Sequence, residues 1–176
     1  MDKIIKAHFD RFMERGELPP EIKDHHHTKG LKLFNDKELL KVWRNNLKGI
    51  PYTDKDGNFL HGAVDNILVN GKKLIVLDYK TKGYPIKDEA ESGNGYQNQL
   101  DFYNFLLRKN GYETENYAFL LFYVPKEVLE TGEVIFETVL ARRNINVKNA
   151  EKIFESAIKL LNSECPKKSC GWCEGR

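Results

Sequence analysis

The stretch Leu60–Lys82, LHGAVDNILVNGKKLIVLDYKTK, constrains the fold more than any other part of the chain. Its two runs rich in Val, Ile and Leu are separated by Asn70-Gly71, a dipeptide that tolerates the positive φ of a two-residue hairpin loop. With Asn70 and Gly71 as the loop, Val69 faces Lys72, Asp65 faces Val76 and Ala63 faces Asp78. Side chains alternate with period two. Asp65, Ile67, Val69, Leu74, Val76, Asp78 and Lys80 therefore share one side, and Val64, Leu68, Ile75 and Leu77 the other. Both sides are largely apolar, which predicts a hairpin central in a sheet covered on both faces.

The charges inside this hairpin need a reason. In that register Asp65 and Asp78 are diagonal neighbours, with Cβ atoms roughly 7–8 Å apart or a little less, so both carboxylates can lean toward one cation. Desolvating two aspartates and a lysine is costly unless they are paired or bound to metal. Two readings meet that cost. One is a buried Asp78–Lys80 ion pair that only fixes register; the other is a divalent-metal site with Lys80 as a positive charge beside the reacting centre.

At 176 residues and 40% hydrophobic content the chain suits one domain, long enough for a sheet with helices on both sides. The formal charge of +2 does not by itself demand a polyanionic partner. Basic residues nevertheless gather at Lys72-Lys73, Lys80 and Lys82, Arg142-Arg143 and Lys167-Lys168, each of which also reads as ordinary solvated surface. No run resembles a signal peptide and none approaches the roughly 20 apolar residues of a membrane span, so the expectation is a cytoplasmic protein with no membrane partner.

Residues 3–15 place Ile4, Ile5, His8, Phe9 and Phe12 on one helical stripe, ended by Gly16 and Pro19-Pro20, with His8 on the core-facing side. His25-His26-His27 read as surface residues of a polar loop over 21–35. A helix over 37–47 is capped by Asn35 or Asp36, with Leu39, Leu40, Val42, Trp43 and Leu47 apolar. Trp43 reads as packing. A short strand Ile50–Thr53 turns at Asp56-Gly57-Asn58 into the Asp65 strand. Thr81–Gly95 has no periodicity and reads as a loop over the site; Glu89 and Glu91 fall in it without an assigned role. A helix from about Gly95 to Asn110, stopped by Gly111, puts Gln99 and Tyr103 on one face. Tyr117–Val124 and Val134–Leu140 read as strands. Val147, Ala150, Ile153, Phe154, Ala157, Ile158 and Leu161 form an amphipathic closing helix.

Taken in order, Gly62-Ala63-Val64-Asp65, Asp78-Tyr79-Lys80 and Gln99-Leu100-Asp101-Phe102-Tyr103 resemble three successive motifs of the PD-(D/E)XK nucleases, in their RecB-like branch that includes the CRISPR-associated adaptation exonucleases. The helix around His8 is similar to that branch's first helix. The resemblance implies an α/β fold with a restriction-endonuclease-like core, a central mixed β-sheet flanked by helices. It divides the chain into a nuclease domain over 1–163 and a cysteine-containing tail over 164–176. It further implies a DNA exonuclease on single strands or duplex ends, using Mg²⁺ or Mn²⁺ held by His8, Asp65, Asp78 and the Tyr79 carbonyl. Asp65, Asp78, Lys80 and Gln99 are then the catalytic residues, and Gln99 and Tyr103 contact DNA. The implied protein partners belong to DNA repair, recombination or CRISPR adaptation. The alternative is a nuclease-fold module that binds nucleic acid or a partner protein without cutting.

Cys165, Cys170 and Cys173 stand at C-x4-C-x2-C, and no cysteine occurs in residues 1–164. Members of the resembled family hold an iron-sulfur cluster with one early and three late cysteines, a set this sequence is not expected to complete alone. Three readings stay open: free thiols, zinc with a histidine as fourth ligand, or a cluster completed by a non-cysteine ligand or another chain.

Overall fold

The computed structural model describes residues 1–86 and 94–164. In chain order its elements are α1 (Asp2–Arg15), α2 (Pro20–Lys23), a 3-10 turn (His26–Thr28), β1 (Lys32–Leu33), α3 (Lys37–Trp43), β2 (Ile50–Thr53), β3 (Phe59–Gly62), β4 (Asn66–Asn70), β5 (Lys73–Thr81), a 3-10 turn (Asn94–Tyr96), α4 (Gln97–Lys109), β6 (Tyr117–Val128), β7 (Val134–Asn144) and α5 (Val147–Leu161). Cys165, Cys170 and Cys173, with the structural metal or cluster expected of them, lie outside the described residues, as do Glu89 and Glu91.

The main sheet has the order β1-β4-β5-β6-β7, antiparallel everywhere except the parallel pair β5–β6. This is the expected mixed sheet flanked by helices, a restriction-endonuclease-like α/β core. The β4–β5 hairpin sits inside it: Ile67, Leu68, Ile75, Val76 and Leu77 have no solvent exposure at all. Helix α1 covers one face through Phe9, whose ring lies 4.8 Å from that of Tyr79. Helix α4 covers the other, and α5 backs α4 through Phe105 and Phe154. No helix among the described residues is long and apolar enough to cross a membrane.

Several boundaries differ from the sequence expectations. The hairpin loop is Gly71-Lys72, because Asn70 pairs with Lys73. Among the described non-glycine residues none has positive φ, so the turn takes one positive φ, at Gly71 (58°), in the first central position. The expected register was thus two residues off. A slip of two preserves faces, so Asp65 and Asp78 stay on one side, and extending the true ladder sets them opposite each other rather than diagonal.

The strand expected to run unbroken into Asp65 is broken. β3 pairs with β2 in a separate ribbon, and residues 63–65 bend before β4 begins. Two glycines permit the bend. A Cβ on Gly49 (φ +57°) would stand 2.5 Å from the Gly62 carbonyl oxygen, and a Cβ on Gly62 would stand 2.9 Å from Leu106 Cδ1. Gly49→Ala is therefore expected to lower stability by more than about 1 kcal/mol, seen as a lower urea midpoint at unchanged slope.

Helix α3 ends at Trp43 and not at 47, because the Asn45 side chain accepts the Leu47 and Lys48 N–H groups and closes a turn. Leu47 is consequently 90% exposed, whereas Trp43 packs inside as expected. In α1 the buried positions are Ile5, Phe9 and Met13; Ile4 is exposed and His8 lies on the flank. The three histidines, expected in a polar loop, lie at a 3-10 turn that His25 caps and His26 opens, with the His25 and His26 rings stacked and the His27 ring tilted against them. β1 was not foreseen. β6 runs past its expected end through the exposed residues 125–128, whose mixed composition hides them from a search for apolar runs, and β7 runs past its expected end to Asn144, where it pairs with the start of β6.

Candidate active site

Three elements converge at the end of β5. Asp78 and Lys80 project from β5 on the α4 side, and Asp65 comes from the bend before β4. Asp65 is pinned by backbone: its Oδ2 accepts the Tyr79 N–H at 2.8 Å, which holds the carboxylate against β5. Its Oδ1 pairs with Lys6 Nζ at 2.9 Å, and Lys6 also reaches Asp2. Burial works against the Lys6 ammonium, but the Asp2 and Asp65 carboxylates outweigh it and raise its pKa. Arg44 fixes the same bend, donating from Nε to the Asp65 carbonyl at 2.7 Å and from Nη1 to both Asp10 oxygens.

Asp78 is 1% exposed. Burial, and then the charge of Asp65 beside it, push its pKa from 3.8 up to about 6 against the pull of Lys80. The Lys80 ammonium touches Asp78 Oδ2 as an ion pair, yet that buried oxygen accepts no hydrogen bond of proper geometry. Lys80 donates instead to Gln99 Oε1 at 2.9 Å, and Gln99 Nε2 donates to the Tyr103 hydroxyl at 2.7 Å. Tyr96 adds its ring face, 4.6 Å from Lys80 Nζ. Burial, and next the Asp78 charge, raise the Tyr103 pKa, so its phenol stays protonated at neutral pH. Beside this relay lies a cavity of about 290 Å³ lined by Gly62, Ala63, Gln99, Phe102 and Tyr103 among others.

Asp65, Asp78, Lys80, Gln99 and Tyr103 thus form one connected constellation. The Tyr79 ring points to the opposite face, where its hydroxyl accepts from Asn66 Nδ2 at 2.7 Å. His8 lies on that face as well, about 200° around α1 from Lys6. Its Nε2 sits 2.9 and 3.1 Å from the two Glu21 oxygens, and the Tyr123 hydroxyl donates to Glu21 at 3.0 Å. This trio borders a second cavity, of about 590 Å³.

The donor set suits a hard divalent ion. Two carboxylates, one with a buried oxygen lacking a hydrogen bond, supply the oxygen ligands such ions take, and Mg²⁺ completes its shell with water. Among the described residues, no group of three or more His, Cys, Asp or Glu side chains is gathered as metal ligands.

The sequence reading missed Lys6, Arg44, Glu21 and Tyr96, which orient the site. Only their places in the fold reveal them; the i, i+4 spacing of Asp2, Lys6 and Asp10 was the one readable hint. Asp101 of the Gln99–Tyr103 motif serves the fold rather than the chemistry. Its buried carboxylate accepts from Gln97, from the Asn146 N–H and from Asn149, and so ties α4 to the start of α5.

A lysine and two carboxylates at the end of a mixed sheet define a class of hydrolytic nuclease folds. Consistently, a family model of the PD-(D/E)XK nuclease superfamily matches residues 1–176, and the chain belongs to that superfamily. The superfamily is one of nucleases, whose members usually use Mg²⁺ or Mn²⁺. No curated protein matches the chain significantly. The crystal structure of SSO0001 is similar over 72% of this chain and 57% of that one, at 18% identity and a TM-score of 0.38, a likeness too slight to carry argument.

Proposed function

We propose that the chain is a divalent-metal-dependent deoxyribonuclease of the RecB-like branch, a cytoplasmic exonuclease acting on single strands or duplex ends. The observation supporting this most is the buried Asp78 carboxylate beside Asp65, in contact with a lysine that Gln99 holds. Asp65 and Asp78 would hold the ion, with the Tyr79 carbonyl as a further ligand; His8, the additional ligand that the family resemblance implies, faces the other side of the sheet and is paired with Glu21. The bound ion supplies Lewis acidity at the scissile phosphate.

The rest of the work falls to the chain. Water adds to phosphorus in line with the leaving oxygen and gives up a proton to solvent; the bond from phosphorus to the leaving oxygen breaks, and that oxygen takes up a proton. Lys80, oriented by Gln99, faces the charge that builds on the phosphoryl oxygens. Tyr103, kept protonated, donates toward the phosphate backbone. For His8 to join, its ring must leave Glu21.

A second reading, a nuclease-fold module that binds without cutting, is favoured by two contacts: Lys6 on Asp65 and Glu21 on His8. End-labelled single-stranded and duplex DNA, incubated with Mg²⁺ or Mn²⁺, separates the two. Cleavage by the wild type that is lost in Asp78→Ala and Lys80→Ala supports the enzyme. Binding without cleavage supports the second reading, and cleavage undiminished in both variants overturns the assignment.

A further inference from the structure

From Lys80 outward, two lysines and three aromatic rings lie in contact with one another and end at the surface. Lys80 Nζ stands 4.6 Å from the centre of the Tyr96 ring, and Tyr96 lies 6.3 Å from Phe122. Phe122 pairs with Lys80 in the parallel register of β5 and β6, so both side chains face α4. Lys82 Nζ stands 5.0 Å from the Phe122 ring and 5.3 Å from the Tyr84 ring. The strip therefore reads Lys80, Tyr96, Phe122, Lys82, Tyr84, beginning at the lysine of the candidate active site and running away from it. Lys82 stays attached to the sheet through its N–H, which donates to the Tyr123 carbonyl at 3.1 Å.

The outer end is what a packing role does not explain. Tyr84 is 64% exposed, a large ring presented to water beside a lysine, while Phe122 beneath it is fully buried. An exposed aromatic face backed by a cation is the arrangement on which unstacked bases stack while the ammonium meets the phosphate between them. Two residues along a strand advance about 6.6 Å, so Lys80 and Lys82 present charges at a repeat that suits neighbouring phosphates of an extended single strand. A duplex keeps its base faces stacked inside and offers Tyr84 nothing to stack on.

We propose that Lys82 and Tyr84, continuing from Lys80 and Tyr96, form the binding track for single-stranded DNA leading from the reacting centre. This rests on the deoxyribonuclease reading and specifies the form of its substrate. Lys82 neutralises a phosphate one nucleotide from the one at Lys80, and Tyr84 stacks on an unpaired base.

The test is fluorescence anisotropy of a labelled 12-nucleotide oligo-dT and of a blunt duplex, with the full chain in EDTA so that binding is read without hydrolysis. Tyr84→Ala is expected to weaken oligo-dT binding roughly tenfold, the scale of one lost base stack, and to leave duplex binding unchanged. Lys82→Gln should flatten the salt dependence of the oligo-dT affinity by about 0.7 in slope, and Lys82→Arg should restore it. Because Tyr84 and Lys82 carry little of the core, unchanged melting temperatures serve as the folding control. Oligo-dT affinity and salt slope unaltered in both variants overturn the track, as does an equal loss on single-stranded and duplex probes. If wild-type hydrolysis still depends on Asp78 and Lys80, only the track has failed. If no hydrolysis is found while the binding differences persist, only the nuclease reading has failed.

Discussion

An Asp78→Asn protein is expected to melt above the wild type at pH 7.5 in EDTA, by roughly 6–12 °C, and to hydrolyse no DNA. The stability side follows from burial. The folded pKa is raised from 3.8 to about 6, so the fold favours the protonated carboxyl. That contribution is fully present below pH 4 and is lost as pH rises through about 6. A shift of about two units, at about 1.4 kcal/mol each, makes the ionised carboxylate a burden of roughly 3 kcal/mol in the metal-free protein at neutral pH. Asparagine resembles the protonated acid in shape and removes the burden; for a chain of this size each kcal/mol moves the melting temperature by about 2–4 °C. The difference should shrink toward zero near pH 4. Adding Mg²⁺ should raise the wild-type melting temperature and move the variant's much less, because the variant keeps only one of the two carboxylates that couple ion binding to folding. Calorimetric melting at the two pH values, with and without Mg²⁺, checks this. A variant less stable than wild type at pH 7.5 would show that Asp78 is a structural anchor instead.

That an aspartate destabilises the strand carrying it explains why so much of the site could be read before the fold was known. A carboxylate at position 78 inside VLDYK interrupts an otherwise apolar strand, and such an interruption has to be justified by chemistry. The period of two then placed Asp65 and Lys80 with it, and that placement survived an error in the turn because the error was even. Gln99 and Tyr103 were legible for a similar reason: four residues apart on a helix, they face one way wherever the helix packs. The sheet and its principal helices were legible wherever a segment was apolar on one face or throughout.

What stayed hidden depends on approach between distant segments. The Gly49–Gly62 contact that breaks the strand before Asp65 joins residues 13 positions apart, and neither glycine announces a partner. The sequence places His8 on the core-facing side of its helix, whereas in the fold it lies on the flank. The rotation of α1 is set by Ile5, Phe9 and Met13 together, and Met13 had not been counted among its apolar positions. With that rotation Lys6 turns toward Asp65 and His8 toward Glu21, whose carboxylate comes from α2. The exposed extension of β6 over 125–128 escaped because it is held by ladder hydrogen bonds to β7, to which hydrophobic periodicity is blind.

Lys80→Ala should have the opposite effect on stability from Asp78→Asn, and should also lose activity. Lys80 is mostly buried, and its ammonium is the nearest positive charge on Asp78. Its removal leaves the carboxylate buried and unpaired, a change that costs on the order of 3–5 kcal/mol when the partner charge cannot escape. Asp78 can escape in part by taking up a proton, so roughly 2–3 kcal/mol is the expected loss at pH 7.5, and less at pH 5. On the chemical side, deleting a preorganised positive group at the developing charge should lower kcat by about 10²–10³ with little change in KM. The double variant is the decisive measurement. If the two side chains interact as the geometry requires, Asp78→Asn should restore most of the stability lost in Lys80→Ala, since with no carboxylate there is no charge left to neutralise; the coupling should be roughly 2 kcal/mol, well above the scatter of independent sites. It should restore none of the activity. Additive stability effects would mean that Lys80 is held by Gln99 and Tyr96 alone, its contact with Asp78 contributing nothing. Rescue of stability without rescue of turnover is the expected result for a charge pair that the fold tolerates because the reaction needs both members.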